Sequence, residues 1–308
     1  MESDKKLLSV IIPTYNSLNT LLRCIDSVLK QTYNHIEIIV IDDASTDDTS
    51  NVKSTYYSEE YRVLYFRNAH SLGPGGARHR GYMESRGDYV VYIDHDDFYT
   101  EPRFFEIALS IFEKYPELAF VSGNTKHYYE QSGKYESVPL YKTGIVDNKE
   151  YISGFGIIYS KPTSVFSSVF NKEILKQADF NNLKIMEDYL IYLKALCYGN
   201  VYFIEDMVGT YMIHGGNTSI VSYNDDYFKL LLEELIQILN FAKQRFSNLS
   251  RIWIDMQMSY VLDAYTHNPN VSEQRKKDML NLCKKNNVRP MLGYKMRTVK
   301  RLIKKILK

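Results

Sequence analysis

The strongest constraint on this chain is an alternation near its start. Short β-branched apolar runs are each followed by a helical stripe, and several end in small polar and acidic residues. Leu8-Ser9-Val10-Ile11-Ile12 and the run from Ile36 to Ile41 are nearly continuous in apolar residues, as expected of strands buried on both faces. Between them Leu21, Leu22, Ile25, Val28 and Leu29 share one face of a helix expected over Leu18 to Lys30. Arg62 to Phe66 and Tyr89 to Ile93 predict two further strands. Helices are expected after Asp47-Asp48, whose carboxylates favour the positive end of a helix dipole, over Gly75 to Ser85 and over Pro102 to Lys114. This order implies an α/β fold with a mainly parallel central sheet covered by helices. Ligands in such folds bind outside the carboxyl ends of the strands.

Further along, Ala119 to Lys126, Thr163 to Phe170 and Val201 to Ile213 are strand-like, and Gln131-Ser132-Gly133-Lys134 predicts a hairpin turn. Met186 to Cys197 is helical, and from Tyr223 the pattern is helical throughout: Tyr227 to Arg245, Trp253 to Tyr265, Ser272 to Lys285 and a last stretch from Tyr294. The expected division is an α/β domain over 1–220 and a helical region over 221–308. The three cysteines (Cys24, Cys197, Cys283) are far apart and form no CxxC pair, which argues against a disulfide framework or a zinc site and for a reducing cytosol. No apolar run reaches the roughly 18 residues that a membrane span needs, so a soluble, unexported, cytoplasmic protein is expected. The net charge of +1 hides an asymmetry: Arg289 to Lys308 holds eight basic residues and no acid, leaving the rest of the chain at −7. In that tail Met296, Val299, Leu302, Ile303, Ile306 and Leu307 alternate with lysine and arginine as in a basic amphipathic helix. Such a helix suits the anionic inner face of a plasma membrane, or equally it docks its apolar side on the preceding helices. A body this acidic is not built for nucleic acid.

The chemistry-bearing residues gather at the expected strand ends. They are Pro13-Thr14-Tyr15-Asn16, then Asp42-Asp43-Ala44-Ser45-Thr46-Asp47-Asp48, then Gly73-Pro74-Gly75-Gly76-Ala77-Arg78, then Asp94-His95-Asp96-Asp97. Three carboxylates within four residues repel one another unless a cation sits among them, and Mg²⁺ or Mn²⁺ takes such oxygen ligands together with substrate phosphates. In an extended segment Asp94 and Asp96 point to one side. Read alone, the cluster is more simply a solvated acidic loop, or Asp97 caps the helix region that follows at Pro102. Neither GxGxxG nor GxxxxGK[ST] occurs, which disfavours dinucleotide oxidoreductases and P-loop enzymes.

Taken in order, Ser9 to Asn16, Val40 to Asp47, Ala77-Arg78-His79-Arg80-Gly81 and Tyr92 to Asp97 resemble family 2 of the glycosyltransferases, an inverting family with the GT-A fold. Met186-Glu187-Asp188 and Tyr211-Met212-Ile213-His214-Gly215-Gly216-Asn217-Thr218-Ser219 extend the resemblance to about the first 220 residues. The resemblance implies a nucleotide-sugar donor, most commonly a UDP-sugar, and a hexose or N-acetylhexosamine moved to a glycan, lipid-linked or protein-linked hydroxyl. Tyr15 then packs on the base, Pro13 and Thr14 line its site beside Asn16, and Asp43 accepts the base N–H with Asp42 beside it. Arg78 lies near the diphosphate. Asp94 and Asp96 match the Asp-X-Asp motif with His95 between them, the last acid on Mn²⁺ or Mg²⁺ and the first reaching ribose, sugar or metal. His214 lies near the metal or diphosphate and Asp188 is the general base, where the residues by themselves read as a structural histidine and a carboxylate at a helix N-terminus. His79 departs from the Asn usual at that position.

These residue types suit the reaction. A leaving diphosphate gathers negative charge that a cation and an arginine stabilise, and an acceptor hydroxyl must lose its proton to a carboxylate as it attacks. A non-catalytic sugar- or nucleotide-binding module on the same fold would be expected to lack these acids. A nucleotidyltransferase would carry a Gly-rich, Lys-containing loop where Pro13-Thr14-Tyr15-Asn16 stands. The 27 tyrosines mostly fall at core spacing, Tyr189 and Tyr192 among them, and are expected inside.

Overall fold

A computed structural model describes residues 5–140, 142–215, 225–266 and 271–290. In chain order the elements begin β1 (Leu8–Thr14), α1 (Leu18–Leu29), β2 (Ile36–Asp42), α2 (Val52–Tyr56), β3 (Val63–Arg67) and α3 (Gly73–Glu84). They continue with β4 (Tyr89–Tyr92), β5 (Phe98–Tyr99), α4 (Phe104–Lys114), β6 (Phe120–Tyr129), β7 (Lys134–Val138), β8 (Gly144–Val146) and α5 (Asn148–Gly154). Then come β9 (Ser168–Asn171), α6 (Lys172–Gln177), α7 (Asp188–Leu196), β10 (Val201–Ile213), α8 (Asp225–Arg245), α9 (Arg251–Thr266) and α10 (Glu273–Lys285).

Every residue of β1 and β2 is buried, as their unbroken apolar runs require. Helix α1 turns Leu21, Cys24, Ile25 and Val28 inward onto Val10 and Ile12. The helix expected after Asp47 is broken in two. Asp47 caps a 3-10 turn over Asp48–Asn51 by accepting from the Thr49 N–H at 3.0 Å, and only the short α2 follows. Helix α3 comes close to the sheet, and Gly81 permits it: a Cβ there would stand 2.3 Å from Ile11 Cγ2. Gly73 starts the helix at φ 72°, a left-handed conformation that favours glycine.

The sheet order is β3-β2-β1-β4-β9-β6-β10-β5, with β7 paired to β6 and β8 to β10. It is parallel across β3-β2-β1-β4, as the first half of the chain implies. Beyond β4 it is mixed, because β9 enters antiparallel to both β4 and β6. The expected strand over Thr163 to Phe170 is in fact a 3-10 turn, Val165–Ser167, followed by the short β9. The hairpin between β6 and β7 forms with Gly133 at φ 64°.

The chain divides into two compact units, Met1–Asn148 with Pro162–Gly215, and Lys149–Lys161 with Gly216–Lys308. Within the second, α9 is tied to the 149–161 segment: Trp253 Nε1 donates to Ile152 O at 3.0 Å and Gln257 Nε2 to Phe155 O at 3.2 Å. Among the described residues no helix is long and apolar enough to cross a membrane. The amphipathic tail from Tyr294 and the Gly216-Asn217-Thr218-Ser219 part of the motif lie outside the described residues.

Candidate active site

Strand direction brings the candidate residues to one edge. The ends of β1, β2 and β4 share it because these strands are parallel. Since β9 runs antiparallel to β4 and β6, and β10 parallel to β6, the ends of β6 and β10 lie there too. Thr14, Asp42, the Asp94–Asp97 segment and His214 therefore converge.

At the β1–β2 end the side chains mainly hold one another. Thr14 is buried, its Oγ1 is 2.9 Å from Ser17 Oγ, and its carbonyl accepts the Asp43 N–H at 2.8 Å. Pro13 is buried beside it, whereas Tyr15 is 51% exposed. Asn16 adopts φ 49°, which asparagine tolerates, and its Oδ1 accepts the Thr46 N–H at 2.7 Å. Asp42 is fully buried and fully engaged. Its Oδ1 accepts from Ser45 N at 2.8 Å, and its Oδ2 from Tyr65 Oη at 2.5 Å and Arg67 Nη1 at 2.7 Å. Burial and that bond to Asp42 push the Tyr65 phenol up to about 12. Asp43 Oδ1 accepts from Asn68 Nδ2 (2.6 Å) and Leu72 N (2.9 Å), and its Oδ2 from Ser71 Oγ (2.6 Å) and Gly73 N (2.9 Å). A nucleobase N–H reaching Asp43 has to displace one of these donors.

At the β4 end the acids face partners of a different kind. The segment is not extended: the Asp97 N–H bonds the Asp94 carbonyl at 3.0 Å, and the turn sends the two motif acids apart. Asp94 turns to Arg78, whose Nη2 lies 2.6 and 2.8 Å from its two oxygens. Arg78 Nη1 lies 3.4 Å from Asp188 Oδ1 and donates to Met186 O at 3.3 Å. Burial works against the charge of this guanidinium, but Asp94, Asp188 and Glu187 outweigh it and hold its pKa well above the usual arginine value. Arg78 thereby cancels the repulsion that would separate Asp94 from Asp188. Asp96 turns instead to His214, Oδ2 to Nε2 2.8 Å.

Asp97 does not cap the following helix. It is fully buried, its Oδ1 accepts the Met212 N–H at 3.0 Å, and burial, reinforced by Asp96 and Asp94, pushes its carboxyl well above the usual carboxylate range. The bond ties the acidic turn to β10 two residues before His214. Helix α1 grips the turn from the other side. Thr20 Oγ1 is 3.0 Å from His95 Nδ1, Arg23 Nη2 donates to Asp96 O at 2.7 Å, and Cys24 Sγ lies 3.7 Å from Asp94 O. The sequence reading missed Asp97, Thr20 and Arg23 as supports. The signal available was the helical spacing of Thr20, Arg23 and Cys24, polar positions facing a strand end. His79 Nε2 lies 3.0 Å from Asn181 O, away from these acids.

Among the described residues no group of three or more His, Cys, Asp or Glu side chains is gathered closely enough to hold a metal ion by itself. Asp96 and His214 fit a divalent cation as a two-donor site, one carboxylate and one imidazole side by side. Its remaining ligands would come from substrate phosphate and water, the usual Mg²⁺ arrangement.

The sequence model of glycosyl transferase family 2 matches residues 9–179, more than half of the chain. Chondroitin synthase of Escherichia coli is 28% identical over 253 residues, covering 80% of this chain and 35% of that protein. The E. coli UDP-Glc:alpha-D-GlcNAc-diphosphoundecaprenol beta-1,3-glucosyltransferase WfaP is 25% identical over 221 residues, 71% of this chain and 82% of the relative. The chain spans less than half the length of several relatives that it matches. S. aureus TarS 1–349, solved in complex with UDP-GlcNAc, superposes with a TM-score of 0.68 at 19% identity over 91% of this chain and 80% of that one, and the architecture is that of the GT-A glycosyltransferases.

Proposed function

The chain belongs to glycosyl transferase family 2, and from that premise we propose that it is an inverting, metal-dependent transferase that moves a hexose or N-acetylhexosamine from a UDP-sugar to an acceptor hydroxyl. The pathway class it fits is cell-surface polysaccharide or glycoconjugate synthesis, with a glycan, lipid-linked or protein-linked acceptor. One observation carries the reading: Arg78 bridges Asp94 and Asp188 at the same sheet edge as the Asp96–His214 pair. In this reading residues 1–220 form the catalytic domain and 221–308 a helical region.

Tyr15, half exposed at the rim, packs on the base, and Pro13, Thr14 and Asn16 shape the floor beneath it. Asp42 and Asp43 keep the base-side loops in position, and Asp94 and His95 line the donor pocket. Asp188, a quarter exposed, takes the acceptor proton as the hydroxyl oxygen attacks the anomeric carbon and the nucleoside diphosphate departs. Asp96 and His214 would hold a Mn²⁺ or Mg²⁺ ion, which supplies Lewis-acid stabilisation of the diphosphate, while Asp94 stays on Arg78. Arg78 adds a fixed positive charge.

A screen of UDP-sugars with and without Mn²⁺, read by melting temperature and by sugar transfer, tests the donor, because a bound ligand stabilises the fold by mass action. Asp188→Asn is expected to keep donor affinity and lose about two to four orders of magnitude in transfer rate. A folded Asp188→Asn protein that transfers sugar at close to the normal rate rules out the base. The basic tail suits an enzyme working at an anionic membrane. Deleting residues 294–308 is expected to abolish binding to anionic liposomes, and retained binding counts against that role.

A further inference from the structure

Transfer needs an acceptor, and the proposed base limits the wall along which an acceptor can approach. Arg78 and Asp94 lie on the α3 and β4 side of Asp188, and the nucleotide edge lies beyond them at β1 and β2. The other wall is the end of β6 and β10. There Tyr211 stands opposite His127 and Ile213 opposite Tyr129. Strand alternation puts these four on one face, with Met212 and Tyr128 on the other. The rings of Tyr211 and His127 are 5.3 Å apart and those of His127 and Tyr129 6.3 Å, and all three are partly exposed.

This face looks toward the acids. Phe98 pairs with Thr210, so continuing that register brings Asp97 level with Tyr211, and Asp97 accepts the adjacent Met212 N–H. Burial first, and then Asp97, Asp94, Asp188 and Asp96, raise the Tyr211 phenol above its ordinary value, consistent with a hydroxyl facing the whole cluster. Among the described residues that hydroxyl has no hydrogen-bond partner.

We infer that His127, Tyr129 and Tyr211 form the acceptor subsite and take one sugar ring of the acceptor, its reacting hydroxyl toward Asp188. The inference rests on the transferase reading above. An aromatic strip offers its ring faces to the apolar C–H side of a pyranose, and the Tyr211 hydroxyl meets a ring hydroxyl at its edge. Neither the nucleotide nor the diphosphate needs this wall, so its loss should separate acceptor from donor binding.

The test uses the full chain with UDP and the methyl glycosides of glucose, galactose, N-acetylglucosamine and N-acetylgalactosamine, observed by saturation-transfer NMR. Wild type is expected to bind at least one glycoside. Tyr211→Phe, which keeps the ring, should weaken that binding about threefold to tenfold. Tyr211→Ala and His127→Ala should weaken it further, with UDP affinity staying within about twofold of wild type. Three results overturn the inference: a UDP-binding wild type that takes none of the glycosides, variants that bind glycoside as wild type does, or UDP affinity falling in step. If Tyr211→Ala fails to fold, the Phe variant alone decides. A wild type that does not bind UDP sinks the transferase reading itself, and this inference with it.

Discussion

Two acidic turns sit at the same edge of the sheet, and their carboxylates do different work. At the end of β2, Asp42 and Asp43 accept hydrogen bonds from seven residues, Ser45, Tyr65, Arg67, Asn68, Ser71, Leu72 and Gly73, all supplied by the neighbouring turns and strand β3. At the end of β4, Asp94 reaches the buried Arg78 of α3, and Asp96 reaches His214 just beyond β10, 118 residues further along the chain. Only Asp97 behind them is committed to the backbone. A carboxylate saturated by amides and hydroxyls fixes a loop, because each donor would be left unpaired without it. One that shares its charge with a single cation or imidazole keeps lone pairs for a ligand. Adjacent aspartates at a strand end therefore carry no single meaning.

The sharpest way to break this contrast is to make the same substitution in both turns. Asp96→Asn should leave melting nearly unchanged while transfer falls by about two orders of magnitude or more, the scale of losing charge stabilisation at a leaving group. The Mn²⁺ dependence of nucleotide binding should vanish with it. Asp43→Asn should do the reverse. Its amide nitrogen would confront donors now satisfied by an oxygen, costing about 2–3 kcal/mol of stability. Transfer should survive at temperatures where the variant is still folded. Thermal melts and rates on the two proteins decide the matter. Equal loss of activity without loss of stability would show that Asp43 also touches substrate.

A smaller effect is expected at the rim. Tyr15→Ala removes an exposed ring whose hydroxyl makes no bond among the described residues, so stability should hold. Nucleotide affinity should fall about tenfold, with or without metal, as when a stacking partner is lost. Isothermal titration with UDP measures this. An unchanged affinity removes Tyr15 from the base site.

What the sequence displays and what it hides follow the same division. The first strands and α1 were legible because their periodicity is set by burial, and Val201 to Ile213 reads as a strand over its full observed length. The mixed half of the sheet was not. β9 is only four residues long and shares no periodic signal with its neighbours, and β5 has two residues. The candidate residues could be named from their types and order, but their partners could not. The Asp97–Met212 bond and the Arg78–Asp188 contact join positions more than a hundred residues apart. Their closeness depends on β9 reversing direction between β4 and β6. Tyr189 and Tyr192 are buried as their spacing implied, whereas Tyr211 carries the same signal and is partly exposed beside the acids.

A third carboxylate supplies the control for both turns. Glu37 lies on β2 as Asp42 does, but at the opposite end of the strand, away from every candidate residue. It is buried, its Oε1 accepting from Ser9 Oγ at 2.7 Å and Arg86 N at 2.6 Å, and its Oε2 pairing with Arg86 at 2.8 Å. Burial opposes its ionisation, yet the bonds from Arg86 and Ser9 together prevail and hold its pKa below the ordinary glutamate value. A group depressed in the folded state stabilises above its unfolded pKa of roughly 4.3, and that contribution is lost as pH falls through the folded value. Glu37→Gln should therefore cost about 1 kcal/mol at neutral pH, since Arg86 is largely exposed and the pair partly screened. The difference between variant and wild type should shrink steadily on acidification below about pH 4. Transfer at neutral pH should be unaffected, because nothing at this end of β2 reaches the Asp94–Asp97 turn. Chemical denaturation at several pH values measures the first expectation and a rate assay the second. A cost that persists unchanged at low pH would mean that shape, not charge, holds Glu37 in place.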